Sequence, residues 1–161
     1  MDREVIEQYA QGPEKLKAAV RSLTRADFIA TPAPEANVGL WSIQQVVAHL
    51  LDADLIWTAR MKSIIAEENP QIIGCDESKS AANLPYDAYD IDEVLQLFEM
   101  NRTLFAKVLR KLPDSAFARI GQHNEIGQIT LAQSVKIMAN HVDHHVKFIH
   151  AKRADMGKEM W

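Results

Sequence analysis

The residues best suited to chemistry are histidines, four of which lie in the segment NHVDHHVKFIH at positions 140–150. His141 and His145 are four residues apart, so on a helix their Cβ atoms would lie about 5–6 Å apart. Two imidazole nitrogens at this spacing can bind one divalent cation at about 2.0–2.1 Å each. His144 and His150 point in other directions on the same helix and are predicted to be bystanders.

A third ligand is needed, because two histidines hold a divalent cation poorly. His49 lies on the flank of an apolar helical stripe in VVAHLLDAD, from which it can reach a neighbouring helix. Together with His141 and His145 it would form a three-nitrogen site with room for water or substrate, as in catalytic zinc sites. From spacing alone, two alternatives stay open: a hydrogen-bonded histidine at position 49 and a solvated histidine-rich helix surface.

Other polar residues carry separate expectations. Asp52 could hydrogen-bond the second ring nitrogen of His49, although a solvated surface position is the favoured interpretation. Asp54 falls inside the apolar stripe, so we expect it to pair with a basic residue at a helix interface or to lie at the pocket. Cys75 and His123 are interpreted as loop residues without a role in the site.

Four long amphipathic helices are predicted to position these residues. Capping-box patterns mark the starts of the last three helices, at Ser42, Asp90 and Thr130. The predicted bounds are about 2–23, with Pro13 inside one bent helix, then 42–68, 90–111 and 130–153. In the second helix, Arg60 and Trp57 could line the same pocket as His49.

The two long connections, 70–89 and 113–129, show no convincing period. Connections of this length are often functional or mobile. The second of them could hold a small hairpin or irregular turns. Four long helices without a strong strand pattern predict an all-α four-helix bundle with two long connections.

Composition narrows the classes of function. A chain of 161 residues is expected to form one domain over residues 1–161. Its net charge of -4 argues against nucleic acid or an anionic membrane as the main partner. One cysteine excludes an intramolecular disulfide and Cys-rich zinc modules. No apolar run is long enough to span a bilayer, and MDREVIEQYA lacks the apolar core of a signal peptide, so we expect a cytoplasmic protein.

Several motifs carry a family resemblance. WSIQQVVAHLLDADLIWTARM resembles the second-helix motif of the DinB/YfiT-like metalloenzyme superfamily, and NHVDHHVKFI resembles its fourth-helix motif. YAQGPEKLKAAVRSL and IGQHNEIGQITL are similar to the DinB-like branch, so the resemblance covers nearly the whole chain. It implies an antiparallel four-helix bundle, commonly a homodimer, with a three-histidine site for nickel, zinc or a similar divalent ion. The family's ligands match His49, His141 and His145.

The resemblance implies a range of reactions. Family members include thiol-cofactor-dependent transferases and a mycothiol-dependent maleylpyruvate isomerase, and others are assigned as metal-dependent hydrolases or damage-inducible proteins. A cation held by three neutral imidazoles lowers the pKa of coordinated water towards about 7 and deprotonates a coordinated thiol. We therefore expect a metal-dependent enzyme that activates water or a low-molecular-weight thiol and acts on a small molecule.

The alternative is a non-catalytic, stress-related bundle that binds a metal or a small molecule. It stays open because the sequence shows no obvious general base beside the three histidines.

Overall fold

Residues 3–158, the part of the chain that the computed structural model describes, form six α-helices and three short β-strands. Four long helices form the predicted bundle, and the short elements lie in the connections between them. In chain order the elements are α1 (Glu4–Val20), α2 (Arg25–Ile29), α3 (Ile43–Ala66), β1 (Gln71–Ile72), α4 (Glu77–Asn83), α5 (Ile91–Lys111), β2 (Ile120–His123), β3 (Gly127–Thr130) and α6 (Leu131–Asp155). None of these helices combines the length and apolar character needed to cross a membrane.

The helices that carry the histidines begin at their predicted caps. The Ser42 hydroxyl accepts a hydrogen bond from the Gln45 amide, and the Gln45 side chain accepts one from the Ser42 amide. Thr130 and Gln133 form the same reciprocal pair at the start of α6. Because each box pairs amides that a helix start otherwise leaves unbonded, it fixes the first turn and thus the phase of the helix.

Arginine side chains bind the carbonyl ends of three long helices. The last carbonyls of a helix have no partner within it, and a cation interacts favourably with that end of the helix dipole. Each arginine comes from a distant part of the chain, so it ties two segments together. The contacts are Arg153 with the carbonyls of Ala19 and Arg21, Arg119 with those of Ile64 and Glu67, and Arg3 with that of Leu112.

A buried ion pair joins the four long helices. Arg102 in α5 donates from Nε to Asp54 of α3 at 2.8 Å, and both side chains are fully buried. Its other nitrogens donate to the carbonyls of Tyr9 in α1 and Met138 in α6, at 2.9 and 2.8 Å. Asn101 donates to the second carboxylate oxygen of Asp54 at 2.7 Å. The prediction that Asp54 pairs with a basic residue at a helix interface is confirmed.

The two long connections meet in a small sheet. The antiparallel pair β2–β3 spans residues 120–130 at the end of the second connection, and β1 from the other connection pairs in parallel with β2. His123 ends β2, is only 4% exposed, and stacks on the Trp57 ring at a centroid distance of 6.0 Å. The prediction that His123 is a loop-tip residue is therefore wrong, because strand pairing holds this connection against α3.

Candidate metal centre

The three predicted histidines meet where α3 and α6 pack together. His49 comes from the second turn of α3, and His141 and His145 come from consecutive turns of α6. The Nε2 atom of His141 lies 3.2 Å from that of His49 and 3.0 Å from that of His145. Candidate ligand atoms of all three residues lie within 4.8 Å of one another.

This arrangement fits a bound cation. Nitrogens at 2.0–2.1 Å from a tetrahedral ion are separated by about 3.3 Å. The measured separations of 3.2 and 3.0 Å lie close to that value, so a small movement of the rings would accommodate an ion. The three rings also pack edge to face, with centroids 4.5 to 5.1 Å apart, and this packing fixes their orientation.

Burial keeps the histidines in the form that binds metal. It lowers the pKa of His141 and of His145 to about 3, and mutual repulsion with the neighbouring histidines adds to the effect. Burial also lowers the pKa of His49. All three imidazoles are therefore uncharged at neutral pH, and a neutral imidazole is the form that offers a nitrogen lone pair to a cation.

The surroundings of the rings differ from residue to residue. Trp41 packs on His49 with ring centroids 5.1 Å apart. Within residues 3–158, the buried Nδ1 of His141 has no hydrogen-bond partner, although metal-bound histidines usually have one. His144 is exposed and its ring lies against His145 and Phe148, in agreement with its predicted position outside the site.

A pocket of about 170 Å³ opens beside His49. One wall is a face of α3, and the other is the connection between residues 75 and 86. The predicted lining residues Trp57 and Arg60 are both present. Cys75 and Glu77 also line the pocket, and the sequence did not assign either of them to the site. A larger cavity, of about 400 Å³, lies between α1 and the start of α5 and has no histidine in its lining.

Two carboxylates stand near the histidines. Asp52 accepts a hydrogen bond from the Tyr86 hydroxyl at 2.7 Å, so its established partner is Tyr86 and not the ring of His49. Glu77, in the first turn of α4, places an oxygen 3.7 Å from Nε2 of His49. Glu77 was not predicted from the sequence as a site residue. Its one local signal is the capping residue Asp76 before the short helix that carries it.

The fold and these three converging imidazoles define a helical bundle with a three-histidine candidate metal centre. The model of the DinB superfamily matches residues 8–149 of the chain. The chain therefore belongs to the DinB superfamily.

Known proteins of similar sequence and structure are named for metal-dependent hydrolysis. A "putative metal-dependent hydrolase" of Oceanobacillus iheyensis is 34% identical over 111 residues, which are 69% of this chain and 64% of the relative, so the match spans less than two thirds of that protein. One from Bacillus mycoides is 28% identical over 93% of this chain and 86% of its own length. The solved structure of YfiT from Bacillus subtilis matches this chain with a TM-score of 0.86 and 28% identity, over 96% of this chain and 86% of YfiT. That protein is described as "a probable metal-dependent hydrolase with an unusual four-helix bundle topology".

Proposed function

We propose that the protein is a metal-dependent hydrolase in which His49, His141 and His145 bind one divalent cation, with nickel and zinc as the expected ions. The observation that carries this proposal is the position of His141, whose Nε2 lies 3.2 Å from that of His49 and 3.0 Å from that of His145, with candidate ligand atoms of all three residues within 4.8 Å of one another. The names of the relatives support hydrolysis as the reaction. Three nitrogen ligands leave a coordination position for a nucleophile or a substrate, as in catalytic zinc sites.

The residues around the candidate metal centre would have separate roles in the reaction. The bound cation supplies Lewis acidity, which turns water or a thiol into a nucleophile at neutral pH. Trp41 and the packed rings hold His49 in place and limit water around it. Glu77 presents a carboxylate that can accept a hydrogen bond from the polarised nucleophile. The pocket beside His49 receives the substrate, and its 170 Å³ favours a small molecule.

A thiol-dependent transferase is the second candidate. The pocket beside His49 is small and has one apolar stretch, formed by Ala53, Ile56 and Leu84, which suits the short stem of a low-molecular-weight thiol. The same cation would deprotonate such a thiol. Under this proposal the thiol comes from a bound cofactor and Cys75 is not the nucleophile.

Metal content tests the site directly. We expect purified protein loaded with nickel or zinc to retain about one ion per chain, as measured by inductively coupled plasma mass spectrometry after desalting. His141→Ala should lose that ion. His144→Ala is the matched control, because it removes an exposed histidine from the same helix and should leave the ion in place. Full metal retention by His141→Ala would overturn the ligand assignment.

An activity screen separates the reactions. The metal-loaded protein is assayed against a panel of small esters and amides, and in parallel against electrophiles with a low-molecular-weight thiol. Turnover of an ester or amide that His141→Ala lacks supports the hydrolase. Turnover only in the presence of thiol supports the transferase. Metal binding without turnover in either panel supports the non-catalytic bundle and contradicts the proposal.

We also propose that two copies of the chain associate through the exposed face of α5. Four large apolar side chains lie there at steps of three and four residues, and each is at least 42% exposed: Leu97, Met100, Leu104 and Val108. An exposed apolar stripe of this kind marks an interaction surface. We expect sedimentation to show a dimer that Leu104→Glu converts to a monomer, whereas Ile137→Glu, on α6, should leave it intact. A dimer that persists in Leu104→Glu would contradict this surface.

A further inference from the structure

The pocket beside His49 is electrically polarised along α3. His49, Ala53, Ile56 and Arg60 share one face of the helix, within about 60° of each other at 100° per residue. The Cα atoms of His49 and Arg60 are about 16 Å apart along the axis, because eleven residues rise 1.5 Å each. The pocket therefore runs lengthwise from the candidate metal centre to a guanidinium, with apolar side chains between them.

Arg60 reaches this pocket as a cation without a carboxylate partner. Its guanidinium stacks over the Trp57 ring at 4.8 Å, and one nitrogen, Nη2, donates to the Ile73 carbonyl. Among residues 3–158 no carboxylate lies within 4 Å of it, and its remaining N–H groups have no acceptor. A planar guanidinium has five N–H donors, so Arg60 keeps a fork free for a carboxylate.

Two of the three acids near the pocket lie at its opposite end. Asp52 and Glu77 line it near His49, and Glu125 acts on Arg60 from outside the lining. In the metal-free protein, an anionic ligand is therefore repelled from the His49 end and attracted to Arg60. With a cation bound, its charge offsets these acids and its open position takes the reacting group, so Arg60 is the protein cation left for a carboxylate at the other end of the pocket. Because three carboxylates surround the pocket, a singly charged carboxylate is better tolerated than a doubly charged phosphate.

We infer that Arg60 binds the carboxylate of a small, linear substrate or cofactor whose reacting end lies at the three histidines. The ligand class is a short carboxylic acid with an apolar middle, since the pocket holds only about 170 Å³. This inference rests on the proposed function, because it takes the metal centre as the reacting end. Arg60 acts in it as a specificity-determining residue.

The inference is tested by removing the charge from the ligand and, separately, from residue 60. Cobalt-loaded protein is titrated with ω-mercapto acids of two to four methylene groups and with the matching ω-mercapto alcohols, and the metal-centred absorption is followed. One charge-assisted hydrogen bond gives about a tenfold preference for the acid. We expect this preference in the wild type, its loss in Arg60→Met, and its increase in Glu125→Gln.

Matched variants separate a direct contact from general effects. Lys62→Met removes the same charge from an exposed position on α3 and should keep the tenfold preference. Arg60→Lys should keep part of it, and a thermal unfolding curve for each variant shows that the fold is intact. A wild type without the preference, or a preference that survives in Arg60→Met, would overturn the inference.

A metal-free arm distinguishes this inference from the proposed function. Butyrate and butanol are titrated into chelator-stripped protein, and the fluorescence of Trp57, beneath the guanidinium, reports binding, with Trp57→Phe as the control for the other tryptophans. Butyrate binding that depends on Arg60 supports the carboxylate site even if cobalt does not bind. Cobalt and thiol binding without any carboxylate preference would leave the metal centre standing and refute the role of Arg60.

Discussion

Asp54→Asn should destabilise the bundle strongly, because it leaves Arg102 as a buried cation without its counter-ion. The two side chains are fully buried and joined at 2.8 Å. Removing one partner of a buried ion pair costs about 3–5 kcal/mol. The asparagine oxygen can still accept one hydrogen bond from Arg102, so we expect a loss at the lower end, about 3 kcal/mol in the free energy of unfolding.

Urea unfolding followed by circular dichroism at pH 7 measures this loss. For a chain of this size, about 3 kcal/mol corresponds to a fall of about 6–12 °C in the melting temperature. Asp143→Asn is the control, since it breaks the 2.6 Å pair with Lys15 in which both side chains are more than a third exposed. A pair of that kind contributes about 1 kcal/mol or less.

A double-mutant cycle identifies the cause. Arg102→Met removes the buried cation, so Asp54→Leu with Arg102→Met should cost less than the two single changes added together. The backbone carbonyls of Tyr9 and Met138 lose their donor both in Arg102→Met and in the double variant. The cost of that loss therefore cancels from the coupling energy. Additive costs, or an Asp54→Asn variant no less stable than Asp143→Asn, would refute the counter-ion argument.

Further predictions concern packing, a helix end and pH. Gly12→Ala should cost about 2 kcal/mol in urea unfolding, because a methyl group there would collide with the Arg102 guanidinium, which has no room to move. Arg119→Met should cost about 1 kcal/mol by the same assay, since the partly buried Ile64 carbonyl at the end of α3 loses its donor while water can replace the donor at the exposed Glu67 carbonyl. The Lys158 ammonium and Thr24 hold the pKa of Asp27 at about 2, below its usual 3.8. The stabilisation by Asp27 is therefore complete above about pH 4 and is lost as the pH falls towards 2. We expect the difference in melting temperature between wild type and Asp27→Asn to be constant from pH 7 to about 4 and to decrease towards zero at lower pH.

The long helices could be predicted from the sequence because their signals are local. Ser42 with Gln45 and Thr130 with Gln133 fix the starts of α3 and α6, and the apolar period continues from each start. Once a helix start is fixed, the direction of every later side chain follows from its position. His141 and His145 could therefore be paired from their spacing alone. His49 could be proposed as their partner only on the assumption that α3 packs on α6, which the structure confirms.

The short elements could not be predicted, because tertiary contacts stabilise them. Helices of five to seven residues such as α2 and α4 are marginal in isolation and show little periodicity. Strand β1 has two residues and depends on pairing with β2, nearly fifty residues later. Glu77 and the buried position of His123 belong to these elements, so the sequence indicated neither.

His49 and Asp54 lie on different faces of α3, and the position of one depends on the contacts of the other. Asp54 follows His49 by five residues, which turns it about 140° around the axis, so His49 meets α6 while Asp54 meets Arg102 of α5. A rotation of α3 by 10° would displace an atom about 5 Å from its axis by about 0.9 Å. Metal–ligand distances tolerate only about 0.2 Å. We infer that the buried pair limits the rotation of α3. If the three histidines bind a cation as proposed, a folded Asp54→Asn variant should retain less of it after desalting than the wild type, although Asp54 touches none of the three rings. Equal retention by the two proteins would contradict this coupling.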